Sequence, residues 1–314
     1  MSYAFDPELA AAIEMMPDVP WHDLPALRGM QDSYVSQRSP ANEAGVVVSD
    51  ATVPGPADAP DIMLRVYRPL DVPEGPLPAV YDIHGGGFVL GSVEMSHQGN
   101  LELCRALGAV VAAVDYRLAP EHPFPAALED CHAGLAWFVA EAPRLGVDPT
   151  RVALHGQSAG AGLAAGLTLM ARDRGGPSVC FQYLGMPELD DRLDTPSMRA
   201  FTDTPVWDRG KAEISWDSYL GPGRRGGDDV PAYAAPARAK DLAGLPPAYI
   251  SVMEFDPLRD EGIAYAQALL ASGVGTELHL YPGTFHGSGM ARHAAVTRRQ
   301  ITERTTVLRR VLHG

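Results

Sequence analysis

The stretch Leu154-His155-Gly156-Gln157-Ser158-Ala159-Gly160-Ala161-Gly162 decides how this chain is read. The short apolar run Arg151 to Leu154 leads into it and has the character of a buried strand. The small-residue stretch Leu163 to Arg174 leads out of it as a helix, stopped at Gly175-Gly176. Strand, tight turn, helix is the setting in which Gly-x-Ser-x-Gly carries chemistry. A serine hydroxyl is a poor nucleophile and must be held forward, in the open, against a base. A sharp turn does this at the cost of unfavourable dihedrals at the serine. It also brings strand and helix so close that the flanking positions must lack bulk, which Gly156, Gly160 and Gly162 satisfy. In a chain with 32 glycines the pattern also arises by chance, so the remaining sequence has to decide.

The chain has 314 residues, 46% of them hydrophobic and 20% charged, which bounds it to a globular protein of one large domain or a domain with a lid. A formal net charge of -14 argues against nucleic-acid and anionic-membrane partners, because the summed field repels phosphate. The three cysteines, Cys104, Cys131 and Cys180, are odd in number and widely spaced. They suit neither a disulfide framework nor a metal site and read as reduced thiols. Met1 to Pro17 is acidic and interrupted by Pro7, without the basic start and apolar core of a signal peptide. No apolar run approaches the roughly 20 residues of a membrane span, so a cytoplasmic protein is expected.

In order, Met1 to Tyr34 spaces its apolar residues as two short amphipathic helices separated by Pro17 and Pro20. Gly45 to Val53 and Ile62 to Arg68 read as antiparallel strands joined by the loop Pro54 to Pro60. Strands follow at Ala79 to Ile83 and Ala109 to Val114, with a helix at Leu101 to Leu107 between them. Strand, helix, strand implies a parallel sheet with right-handed crossovers. Asp115 to Pro125 holds three prolines in its last six residues, a rigid segment that admits cis peptide bonds. The helix Ala126 to Ala140 precedes the serine strand. After the strand Val179 to Leu184, the stretch Glu188 to Val230 turns rich in Asp, Arg, Gly and Pro and reads as an insertion. Order resumes with a strand at Ala248 to Met253, a helix at Asp260 to Leu270, a last strand at Glu277 to Tyr281 and a closing helix at Ala291 to Leu312. The expected class is therefore α/β, a mostly parallel sheet flanked by helices.

A serine nucleophile needs a base and an orienting acid, in this architecture in the chain order Ser, acid, His, each just past a strand. Ser158, Asp256 and His286 fall in that order and at those places. His97 and His132 are less well placed. Glu254 and Asp260 compete for the acid; Glu254 sits nearer its strand, and Asp260 reads as a helix-start residue. The oxyanion of acyl transfer needs uncrowded N–H donors. Gly85-Gly86-Gly87, directly after a strand, supplies bare backbone, and Ala159 a further N–H.

Five segments together resemble the hormone-sensitive-lipase family of α/β-hydrolases in its bacterial carboxylesterase branch. They are His84 to Phe88 (His-Gly-Gly-Gly-Phe), Asp115 to Glu121 (Asp-Tyr-Arg-Leu-Ala-Pro-Glu), the turn around Ser158, Asp256 to Glu261 (Asp-Pro-Leu-Arg-Asp-Glu) and His286-Gly287. The resemblance runs from about Tyr67 to the C-terminus. It implies an α/β-hydrolase fold and a triad of Ser158, Asp256 and His286. Oxyanion donors at Gly86, Gly87 and Ala159 follow, with His84 and Gly85 shaping the loop. It further implies a helical cap made of residues 1–44 and 187–230 over a core of residues 45–186 and 231–314. The motif departs from the family's Gly-Asp-Ser-Ala-Gly-Gly-Asn at Gln157, Ala161 and Gly162, and from His-Gly-Phe at Ser288. Losing the acid beside the serine alters the local field, and losing the aromatic alters packing beside the histidine.

The expected activity is hydrolysis of small, uncharged, short-acyl esters. An amidase, aryl-formamidase or lactonase with the same triad is an alternative, and a non-catalytic small-molecule receptor of the same fold another. Met16, Trp21, Met30, Phe88, Met186, Trp207 and Trp216 are the candidate pocket residues, with core packing as the competing reading for each. No metal or other cofactor is expected. The expected partner is a small ester, and a homodimer is the oligomer common in the family.

Overall fold

The most continuous apolar runs become the middle of one eight-stranded sheet. A computed structural model describes residues 3–14, 16, 19–57 and 59–314. Met1, Ser2, Met15, Pro17, Asp18 and Asp58 lie outside the described residues, and with them the expected break at Pro17. The chain opens with helices α1 (Pro7–Ile13) and α2 (Leu24–Gln37), then strands β1 (Val46–Val53), β2 (Ile62–Pro69) and β3 (Leu77–Ile83). Next come α3 (Val93–Leu107), β4 (Val110–Asp115), α4 (Ala126–Ala140), the short α5 (Ala142–Leu145), β5 (Val147–Gln157), α6 (Ala159–Arg174) and β6 (Phe181–Gly185). Helices α7 (Pro196–Ala200) and α8 (Arg209–Leu220) precede β7 (Ala248–Phe255), α9 (Arg259–Ala271), β8 (Thr276–Phe285) and α10 (Ala295–His313).

The strand order is β1-β2-β4-β3-β5-β6-β7-β8. The hairpin β1–β2 is antiparallel and β2 pairs antiparallel with β4; every later pairing is parallel. Helices cover both faces, which is why β3 is buried along its whole length, Asp82 included. Helices α4, α6 and α9 share one apolar core on one face, while α3 and α10 pack on the other. In a parallel sheet so covered, the loops after the strand ends converge at one edge, where ligands bind in open α/β folds.

Several elements differ in extent from the sequence expectation, β5 starting at Val147 and α10 at Ala295 among them, and three do so for a clear local reason. Helix α3 starts at Val93 rather than Leu101, because Ser92 caps it by accepting a hydrogen bond from the Met95 N–H at 3.3 Å. Helix α6 starts at Ala159 rather than Leu163, so the small residues of the turn are themselves the first helical turn, buried on every side. Strand β8 continues through Pro282 and Gly283 to Phe285, held by the pairing of Phe255 with Phe285. In the proline-rich segment after β4, the Ala119–Pro120 and Phe124–Pro125 peptide bonds are cis. Among the described residues no helix is long and apolar enough to cross a membrane.

Candidate active site

Strand β5 ends at Gln157 and helix α6 begins at Ala159, leaving Ser158 alone in the turn with φ 56° and ψ -127°. A non-glycine residue in this region is strained, and the surroundings must hold it there. They do so through the Ser158 N–H, which donates to the Gly185 carbonyl at 2.8 Å, and the Ser158 carbonyl, which accepts from Ala161 at 2.9 Å. The close approach of helix to sheet is steepest at Gly160. A Cβ there would stand 2.1 Å from the Ile83 carbonyl oxygen, so no other residue fits without moving backbone.

Ser158 Oγ lies 2.9 Å from His286 Nε2, and His286 Nδ1 lies 2.7 Å from Asp256 Oδ2. Asp256 follows β7 and His286 follows β8, so strands adjacent in the sheet aim both side chains at the turn after β5. The Leu258 N–H donates to Asp256 Oδ1 at 2.9 Å, which leaves Oδ2 for the histidine. All three side chains are nearly enclosed, with relative exposures of 8% for Ser158, 6% for His286 and 1% for Asp256. The rival acids are engaged elsewhere: Glu254 accepts from the Gly283 N–H at 2.6 Å and Asp260 from the Ser197 N–H at 2.7 Å.

The glycine loop after β3 runs against the turn. A Cβ on Gly85 would stand 2.7 Å from the Gln157 carbonyl oxygen and 3.4 Å from Ser158 Cβ. Gly86 has φ +130°, a conformation that other residues rarely adopt, and its carbonyl accepts from Leu90 at 2.9 Å. Among the described residues, no backbone hydrogen bond uses the N–H groups of Gly86, Gly87 or Ala159, so all three are free to donate. His84 stacks on Tyr116 at 4.1 Å and 14°, and the Tyr116 hydroxyl donates to the His84 carbonyl at 2.8 Å. Burial holds the His84 imidazole below its ordinary range, which keeps it neutral beneath the loop. Arg28 fastens α2 to the same region, donating to the Val89 and Ala119 carbonyls at 3.0 and 2.8 Å and pairing with Glu121.

The expected pocket residues divide by position. Trp207 lies over His286, with ring centroids 5.5 Å apart, and Trp21 meets Trp207 edge-on at 5.1 Å. Phe88 stacks on Tyr219 at 4.0 Å and packs beside Trp216, so both join the core beneath α8. Met16 packs against the cluster that holds Phe285, the residue before the histidine. Met186, at φ 47°, lines a separate cavity behind the turn. Met30 stays at the surface of α2, 40% exposed.

Two residues near the triad escape sequence reading. The Ser215 hydroxyl donates to the Gly87 carbonyl at 3.0 Å. Glu188 is fully buried, its N–H donates to the Ser158 carbonyl at 3.3 Å, and neither carboxyl oxygen has a hydrogen-bond partner. Burial pushes its carboxyl up to about 8, and the charge of Asp256 adds to the rise. In the sequence Glu188 opens a charged insertion and reads as surface; the apolar neighbours Pro187 and Leu189 are the one hint otherwise.

Comparison with known proteins agrees with the fold. A family model described as alpha/beta hydrolase fold matches residues 80–290. Esterase LipI of Mycobacterium tuberculosis is 41% identical over 273 residues, spanning 85% of this chain and 83% of that one. Carboxylesterase NlhH of the same organism is 43% identical over 231 residues, spanning 72% of this chain and 71% of its own length. The solved structure of a bacterial heroin esterase superposes with a TM-score of 0.96 at 49% identity, covering 99% of both chains. The chain belongs to the α/β-hydrolase fold family, in the hormone-sensitive-lipase-like branch that its motifs resemble. It is a carboxylic ester hydrolase.

Proposed function

We propose that the chain hydrolyses short-acyl, uncharged esters through an acyl-enzyme on Ser158. The observation that carries this reading is the hydrogen-bonded series Ser158–His286–Asp256 at the turn after β5. His286 Nε2 takes the hydroxyl proton as Ser158 Oγ attacks the ester carbonyl, and Asp256 holds the imidazole in the required tautomer and stabilises the imidazolium. The N–H groups of Gly86, Gly87 and Ala159 receive the developing oxyanion. His286 returns the proton to the departing alcohol, then activates the water that releases the acid. Residues 1–44 and 187–230 act as a cap over the core of residues 45–186 and 231–314. The contact of Trp21 with Trp207, above His286, supports that division. The near enclosure of Ser158 and His286 supports a small acyl group.

The test is hydrolysis of a p-nitrophenyl ester series from acetyl to long acyl, with Ser158→Ala as control. Turnover is expected to fall with chain length and to drop by several orders of magnitude in the variant. Near-normal turnover by Ser158→Ala, or a preference for long acyl groups, overturns the proposal.

A further inference from the structure

A cavity of about 400 Å³ lies on the α3 and α10 side of the sheet, behind the serine turn. Gln157 and Gly287, the neighbours of Ser158 and His286 in sequence, both line it. It is large enough for a small organic molecule and too large for one water. Its walls are of two kinds. Met186, Met253 and Met290 make an apolar side, soft and adaptable in shape. Gln157, Ser251 and Arg304 make a polar side. Gln157 and Ser251 face each other across Gly185, where an added Cβ would meet Gln157 Cγ at 3.2 Å and Ser251 Oγ at 3.6 Å.

The charges on this wall do not balance. Glu102 and Arg292, which also line the cavity, pair with each other. Arg304 remains. Its Nε is buried without a hydrogen-bond partner, and among the described residues no carboxylate lies within ion-pair distance of it. The preceding Glu303 is engaged elsewhere, accepting from the Tyr281 hydroxyl at 2.7 Å and pairing with His279. An unpaired guanidinium in a part-buried wall is costly unless something anionic completes it. At the end of β5, where the related motif carries an acid, this chain has the neutral Gln157.

We propose that this cavity is a binding site for a small carboxylate with an apolar tail, held through Arg304, with Ser251 and Gln157 as neutral partners. Arg304 offers a planar fork of donors that fits a carboxylate in bidentate fashion. Resting on the esterase reading, the natural occupant is the class of acid that the reaction releases. The neutral ester lacks the charge that Arg304 selects, so product and substrate sort to different places.

The test is calorimetric titration of the Ser158→Ala protein with butyrate, which measures binding whether or not the chain turns over esters. Butyramide is the uncharged control. Saturable butyrate binding is expected, with Kd rising at least tenfold when Arg304→Met is added and butyramide binding much more weakly. Should Arg304→Met fail to fold, Gln157→Glu supplies an internal carboxylate that competes for Arg304 and is expected to weaken butyrate by a similar factor. Mono-p-nitrophenyl succinate distinguishes the source of the carboxylate. An Arg304-dependent fall in its KM relative to p-nitrophenyl butyrate would mean that the site reads the acid end of a half-ester substrate instead of a free acid. Butyrate binding that is absent, matched by butyramide, or equal across these variants overturns the proposal.

Discussion

Gly160→Ala is the substitution on which the account of the serine turn rests most directly. By local preference it ought to help: Gly160 sits in the first turn of α6, and alanine is favoured over glycine in a helix by about 1 kcal/mol. The tertiary structure reverses the sign. The new methyl would stand 2.1 Å from the Ile83 carbonyl oxygen and 2.5 Å from that of His84, when ordinary contact begins near 3.4 Å. Both neighbours are backbone at the end of β3, which cannot swing aside as a flexible side chain would. Helix and strand must therefore separate by about 1.3 Å at the point where Ser158 and the glycine loop face each other. Overpacking of this kind costs about 1–3 kcal/mol, so a net loss of up to about 2 kcal/mol survives the helical gain. That corresponds to a fall in Tm of up to about 3 °C in a domain of this size. The rate should suffer more, by about a hundredfold in kcat/KM, because a displacement near 1 Å spoils the alignment of nucleophile and oxyanion donors. Thermal unfolding and p-nitrophenyl acetate kinetics on the same preparation measure both. A variant as stable as the parent and fully active would refute the close-approach argument.

Two further perturbations test the site. Asp256→Asn keeps an acceptor for the Leu258 N–H but presents an amide to His286 Nδ1, favouring the wrong tautomer; kcat/KM for p-nitrophenyl acetate is expected to fall by about four orders of magnitude with Tm nearly unchanged, and a loss below tenfold contradicts the role. Glu188 holds its proton more tightly folded than unfolded, so the wild type loses stability as pH rises from its ordinary value near 4.5 to about 8. Glu188→Gln has no proton to lose, and its stability relative to the wild type should therefore climb across that window, by a few kcal/mol at most, and level off above it. Urea unfolding at pH 5, 7 and 9 reads this, and a gap constant with pH would show that Glu188 is not a buried neutral acid.

Much of the site was legible because its chemistry is written in short local motifs. The turn around Ser158 demands small residues at fixed offsets, and the order of Ser158, Asp256 and His286 follows from strands delivering loops to one edge. Competing residues could be ranked by their distance from a strand end, and the structure finds Glu254 and Asp260 occupied with backbone N–H groups. The pocket was less legible. Phe88, Trp207 and Trp216 have the same apolar chemistry in the sequence and join one core, yet Trp207 overlies His286 while Phe88 packs against Trp216 and Tyr219. Hydrophobicity states that a side chain will be buried, not which neighbours it meets.

The sequence by itself determined the α/β class, the strand that leads into Ser158 and the placing of Asp256 and His286 just past later strands, because each depends on residues within a few positions of one another or on a repeated period. Only the tertiary structure decided the fate of the isolated polar groups. Glu188 looks like the start of a solvated insertion and is enclosed beside Ser158. Arg304 lies four residues before Leu308, on the inward stripe of α10, where its charge meets a cavity built from β5, β6, β7 and the loop after His286. A polar atom enclosed without a partner is a property of what distant segments leave unpaired when they pack, and no local pattern contains that sum.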